Sequence, residues 1–266
     1  MSSFFALIGR RAITLTGFLG GISKLFYKSS YWIVIGPFRG KGLRWRATLR
    51  QMVIVGFDAI PIVSLISMFI GIIIALQGAY ALRKFGALNY VVDMVAVTIT
   101  RELGPLLTAI IVIGRSGSSF AAEIGTMKVG EEVDALQTMG LNPIRFLVVP
   151  RYFAMLIMLP CLTTVADTAG VLGGALFAIV NMGWSLQNYL LRTIDALLMR
   201  DIVTGLIKSM VFAVIITKIG CYEGFTVQGG AEGVGRSTTA SVVKSIFSVI
   251  VADMIFTAIF YYGSES

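Results

Sequence analysis

Long apolar runs separated by short polar intervals organise the chain. Five such runs recur, at about residues 52–76, 89–114, 146–180, 202–219 and 242–262. Each reaches or approaches the roughly 20 apolar residues that carry a helix across about 30 Å of hydrocarbon. The runs are continuous rather than alternating and are too long for barrel strands, so they predict helices. The third holds Pro150, Pro160 and Asp167. It reads either as one tilted, kinked helix or as a helix preceded by a re-entrant piece. Ahead of the first run, Phe4, Ile8, Leu15, Phe18, Leu19, Ile22 and Phe26 recur at helical spacing, with Arg10, Arg11, Lys24 and Lys28 between them. That pattern predicts a helix lying in the membrane interface rather than a cleavable signal peptide.

The expected fold is an all-α integral membrane protein: an N-terminal interfacial helix region over 1–50, then a membrane domain over 51–266 with about five spans. Composition supports this. Of 266 residues, 56% are hydrophobic and 14% charged, with a mean hydropathy of +0.86; a soluble domain carries about a quarter charged residues. The net charge is +8, and nine of the 22 Lys and Arg residues precede the first long run. These charges flank apolar segments, so the bias of basic residues towards the cytoplasmic side explains them and no nucleic-acid partner is expected. Five spans put the termini on opposite sides. With the basic N-terminus inside, the loops at 115–151 and 218–244 are also cytoplasmic, holding Arg115, Lys128, Arg145, Arg151, Lys218, Arg236 and Lys244. Five spans also argue against an inverted repeat within one chain.

The chain contains no histidine, which removes Ser-His and Cys-His nucleophilic pairs and nearly all zinc-site geometries. No catalytic residue, metal or cofactor is expected. Cys161 and Cys221 read as small buried hydrophobes. Gly36-Pro37-Phe38-Arg39-Gly40-Lys41-Gly42 is one residue short of a phosphate-loop spacing and has Gly42 where Ser or Thr should stand. Any ATP must be handled by another chain.

Arg101 and Glu102 fall near the middle of the second run. A charge at bilayer depth costs at least about 2.5–3.5 kcal/mol on insertion scales, so both should face a partner or a cavity. They serve either as a buried ion pair between helices or as a polar lining that meets a substrate headgroup. Asp58, Asp167, Lys208 and Asp253 also lie in or near apolar segments and read as helix–helix contacts. Between Gly125 and Gly140, the residues Met127, Val129, Val133, Leu136 and Met139 fit one helical face, with Glu131, Glu132 and Asp134 on much of the remainder. Such a segment is either a solvated connecting helix or a docking element for a soluble partner.

An ordered series of motifs resembles the MlaE family, the permease subunits of ABC transporters that work with MCE proteins. It comprises Arg101-Glu102-Leu103-Gly104-Pro105, Gly114-Arg115, Ala121-Ala122-Glu123-Ile124-Gly125-Thr126-Met127, Ala135-Leu136 through Met139-Gly140, Asn142-Pro143 and Pro150-Arg151. Gly220-Cys221-Tyr222 and Gly229-Gly230-Ala231-Glu232-Gly233-Val234-Gly235-Arg236-Ser237-Thr238-Thr239 continue it, and Leu76-Gln77-Gly78 precedes it. The resemblance runs from about Arg44 to the last span.

The resemblance implies a homodimer of permeases, a cytoplasmic ATPase subunit on each, a periplasmic ring of MCE-domain proteins, and movement of phospholipid or a related lipid between membranes. It implies a coupling helix at about 123–142 that docks on the ATPase through Glu123, Gly125, Thr126, Met127, Lys128, Glu131, Glu132, Asp134, Leu136 and Met139. It places a lipid pocket at the dimer interface, built largely from the first and second spans, with Arg101 at the headgroup, Glu102 holding the local polar network, Met68, Ile72 and Leu76 on acyl chains, and Gln77 and Tyr80 near the outer mouth. Both bacterial inner membranes and plastid envelopes house the family, and the lack of a long transit segment favours the bacterial membrane. The segment 220–239 is either a second cytoplasmic contact or a connector. Two other classes remain as readings of the residues: an ion- or proton-coupled carrier titrating Asp58, Glu102 and Asp253, and a non-transporting scaffold anchored through 123–140.

Overall fold

The computed structural model describes Gly20 and residues 44–262, so the interfacial helix expected over the first segment lies outside the described residues. Every regular element among the described residues is helical. Helix α1 (Trp45–Val55) meets a 3-10 turn at Phe57–Ala59 and then α2 (Ile60–Arg83). The break has a local cause. Pro61 cannot donate to the preceding turn and its ring crowds the carbonyl four residues back. Helix α3 runs from Tyr90 to Val129, with five-residue π turns at Ile99–Leu103 and Ile113–Gly117. The first π turn directly precedes Gly104-Pro105, where the missing proline N–H loosens the ladder. Forty residues of helix are about 60 Å long, twice the hydrocarbon thickness.

A short helix α4 (Glu132–Thr138) follows, then α5 (Ile144–Met182). The third apolar run is one helix, with Pro160 inside it; there is no re-entrant piece. Helix α6 (Leu186–Ala196), not anticipated from the sequence, is amphipathic: Ser185 Oγ accepts from Asn188 N at 3.2 Å to cap it, and Tyr189 is buried. Burial pushes the Tyr189 phenol up to about 12. Helices α7 (Met199–Phe225) and α8 (Gly230–Tyr262) complete the bundle. Five helical segments are long and apolar enough to cross a membrane. The α4 side of the molecule carries the C-terminal ends of α3 and α7; α6 marks the other side.

Small residues bring the spans together. The most extensive pairing joins α2 to α5, through buried Ser67 and Gly71 on one helix and Gly170 and Gly173 on the other. A Cβ on Gly71 would collide with the backbone of Gly170, and one on Gly173 with the carbonyl of Met68. In lipid, where side-chain burial brings little hydrophobic gain, close backbone contact of this kind supplies the packing energy. Val55, Val63, Ala109, Val112, Phe120, Met155, Leu159, Phe212 and Ile216 form the main core.

The last two spans are longer than their apolar runs suggest, and this gives segment 220–239 a structural role. Residues 220–225 finish α7, Gly229 and Gly230 turn the chain at φ 89° and 70°, and α8 begins at once. Gly220 and Gly224 let α7 lie against Gly117, Ala121 and Ile124 of α3.

Candidate functional site

Arg101 and Glu102 sit eleven and twelve residues from the Tyr90 end of α3, towards the α6 side rather than at its middle. The apolar run had ended at 114, whereas the helix continues to Val129. Both side chains turn towards α7 and α8. Arg101 Nε donates to Asp201 Oδ1 at 3.0 Å, and its Nη2 forms an ion pair with the same oxygen. Asp201 Oδ2 accepts from Leu198 N at 3.2 Å, closing the first turn of α7. A carboxylate there also meets the positive end of the helix dipole.

One residue on, Glu102 Oε2 lies 2.6 Å from Lys208 Nζ. Asp201 and Lys208 are seven residues apart on α7, two turns along one face, so consecutive residues of α3 find partners on the same helix. Lys208 is fully buried and also reaches Asp253 Oδ1 at 3.0 Å and Thr257 Oγ1 at 2.8 Å on α8. The result is a knot of charge tying three spans. Its outer wall is a cavity of about 480 Å³ lined by Val97, Arg101, Glu102, Arg200, Thr204 and Thr257, among others. The Asp201 side chain is 2% exposed while that of Arg101 is 41% exposed. The anion is therefore hidden and the guanidinium is offered to the cavity, with Arg200 beside it. Nothing in the local sequence pattern around Arg200 marks it for the site.

The structure does not bring the expected first-span residues to this cavity within one chain. Leu76 and Tyr80 line a different cleft of about 620 Å³, with Ala79, Arg83, Phe177 and Trp184, at the α6-side ends of α2, α3 and α5. Gln77 is exposed, and Met68 and Ile72 are half-buried on α2. Leu65, Phe69, Ile73, Leu76 and Tyr80 present one apolar stripe to the outside of the chain.

On the α4 side, the single coupling helix expected near 123–142 is two elements. Glu123, Gly125, Thr126, Met127 and Lys128 belong to the end of α3; Gly130 and Glu131 turn the chain, and α4 begins at Glu132. Glu131 takes a left-handed φ of 58°. The expected apolar face divides as well. Val133 and Leu136 are buried with Leu147, Met127 and Phe225, whereas Val129 and Met139 are exposed. Gly125 is buried against Val227 and Val234. Glu131, Glu132, Asp134 and Met139 therefore form the outward surface, with Lys128 Nζ held 2.9 Å from Asp134 Oδ1. Glu123 Oε2 pairs with Arg151 Nη2 at 2.6 Å.

The carboxylates that a coupled carrier would titrate already have cations beside them: Asp58 with Arg115 at 3.6 Å, and Glu102 and Asp253 with Lys208. Asp167, by contrast, packs directly against Gly104, and its Oδ1 is buried with no hydrogen-bond partner among the described residues.

Residues 48–259 match the family described as Permease MlaE. The chain is 41% identical over 213 residues to a probable ABC transporter permease protein of Rickettsia typhi, covering 80% of this chain and 82% of the relative. It is 37% identical over 254 residues to a probable ABC transporter permease protein of Rickettsia bellii, covering 96% of each. It is also 38% identical over 232 residues to Protein TRIGALACTOSYLDIACYLGLYCEROL 1, chloroplastic, of Arabidopsis thaliana, covering 87% of this chain and 66% of the relative.

Proposed function

The chain belongs to the MlaE permease family of ABC transporters, and from that membership we propose that it moves a phospholipid between membranes, driven by a separate ATPase subunit. The observation that carries the lipid reading is the cavity beside Arg101. It lies between α3, α7 and α8, is walled by apolar residues such as Val97, Ile259 and Phe260, and offers two guanidinium groups to a phosphate. The plant relative's name points the same way, since a diacylglycerol lipid is part of it.

In this reading two copies pair through the exposed α2 stripe, so that Leu76, Gln77 and Tyr80 meet the acyl chains of a lipid held between copies. The ATPase docks on the outward face of α4, and an MCE-domain ring lies on the α6 side. ATP drives transport only by favouring one arrangement of the pair over the other. Glu123–Arg151 and Lys128–Asp134 transmit that choice from α4 into α3 and α5. The membrane is a bacterial inner membrane.

The test is purification of the tagged chain in mild detergent, with mass spectrometry of bound proteins and lipids. Recovery of an ATPase subunit and phospholipid is expected, with the ATPase lost on Glu131→Lys plus Glu132→Lys, which leaves the Lys128–Asp134 pair in place. A chain that purifies alone, monomeric and lipid-free, sinks the reading.

A further inference from the structure

A separate cavity of about 390 Å³ opens on the α4 side, between α1, the end of α3 and the start of α5. Arg44, Arg50 and Arg151 line it, and Glu123 is the acidic residue of the lining. An abutting cavity of about 210 Å³ shares Arg44 and Phe146 and adds Arg145. The pair of cavities thus gathers four arginines against one glutamate.

The arginines are differently held. The Arg44 guanidinium lies 3.7 Å over the Phe146 ring, which fixes it without neutralising it. Arg50 is exposed. Arg151 is buried; its Nη1 donates to Leu147 O at 3.3 Å and its Nη2 to Glu123, while the buried Nε has no partner among the described residues. A buried donor left unpaired costs about 1–3 kcal/mol, so the site gains from an added acceptor.

The depth of the cleft follows from α1. Trp45, Leu49 and Val53 recur every four residues as an exposed apolar stripe, while Arg44 and Arg50 reach the cleft. A helix with a tryptophan-headed apolar stripe and basic residues off that stripe lies at the headgroup level. Arg39, Lys41, Arg44, Arg46 and Arg50 form a basic run just ahead of the first span, a pattern that attracts anionic lipid.

We propose that this cleft binds the phosphate of an anionic lipid headgroup from the leaflet on the α4 side. Arg44 and Arg50 supply the charge, and Arg151 supplies the buried fork. A phosphate there competes with Glu123 for Arg151, six residues before α3 ends at the α4 turn. Lipid occupancy therefore loosens the contact between α3 and α5 beside the proposed docking surface. The binding claim does not depend on the transport reading.

The probe is the full-length chain in neutral detergent, titrated with eight-carbon phosphatidylglycerol, eight-carbon phosphatidylcholine or inorganic phosphate. Binding is read by native mass spectrometry and by thermal shift. Phosphatidylglycerol should bind preferentially, and Arg44→Gln with Arg50→Gln, both at exposed positions, should weaken it at least about tenfold. Arg46→Gln with Arg236→Gln removes equal charge outside the cleft and should change it less than twofold. Glu123→Gln should tighten it. Inorganic phosphate producing the same variant-dependent shift assigns the cleft to a free anion and overturns the lipid proposal. So does a phosphatidylglycerol preference that survives loss of Arg44 and Arg50.

Discussion

Lys208 and Glu102, 106 residues apart in sequence, form an ion pair of 2.6 Å between α7 and α3, with the ammonium fully buried. Asp253 shares the same cation at 3.0 Å, so the two partners are not equivalent. Removing the ammonium leaves two neighbouring carboxylates without a cation; removing one carboxylate leaves the other in place. Breaking a buried pair typically costs about 3–5 kcal/mol. Lys208→Met should therefore lower the melting temperature in detergent far more than Glu102→Gln. Equal losses would mean that Asp253 does not share the charge.

Arg101 differs because its side chain faces a cavity. Its partner Asp201 keeps the Leu198 N–H when the guanidinium is removed. Arg101→Gln should reduce co-purifying phospholipid by at least about tenfold, the effect of a lost charged hydrogen bond of 1.5–3 kcal/mol. Its melting temperature should fall less than that of Lys208→Met. Unchanged lipid content in a folded Arg101→Gln protein would remove Arg101 from the binding site.

The spans were legible because apolar run length is a strong signal for membrane helices. Their ends were not, because α3 and α8 continue through polar residues that only packing keeps helical: Gly125 lies on Val227 and Val234, and Ser241 donates to Gly117 O at 3.4 Å. Helix α6 was hidden because its 11 residues are too few to span a membrane and it depends on tertiary contacts, with Arg192 forked onto Asp93 at 2.8 Å. Arg101, Glu102, Lys208 and Asp253 stood out as charges in apolar surroundings. That Asp201 would complete the set could not be read, because the pairing depends on how α7 is rotated against α3. The break within 123–142 was similarly hidden: Gly130 signals a turn, but not that Glu131 takes the left-handed conformation.

Close helix contact makes a prediction about glycine. Gly71 and Gly170 touch through backbone, so Gly71→Ala must push α2 from α5. Overpacking of this kind typically costs about 1–3 kcal/mol. Gly235→Ala places the same methyl in α8 where nothing lies within 4 Å; alanine favours helix there by up to about 1 kcal/mol. Thermal unfolding of the isolated chain should fall for the first variant and hold or rise for the second. A neutral Gly71→Ala would show that the α2–α5 contact is looser than the structure has it.

The turn between α3 and α4 offers a test that separates shape from charge. Glu131 sits at φ 58°, a region open to glycine and asparagine and hostile to β-branched side chains. Glu131→Gly relieves the backbone and should leave the chain at least as stable as it is now, although one acidic group of the outward face is gone. Glu131→Ile removes the same charge but resists the left-handed conformation, and should lower stability by about 1–2 kcal/mol. If the ATPase reads the set of α4 against α3, recovery of the ATPase should fall for isoleucine and survive for glycine. If it reads the carboxylate, both variants should lose it equally. Loss in both would move the docking argument from the turn to the acidic surface of Glu131, Glu132 and Asp134.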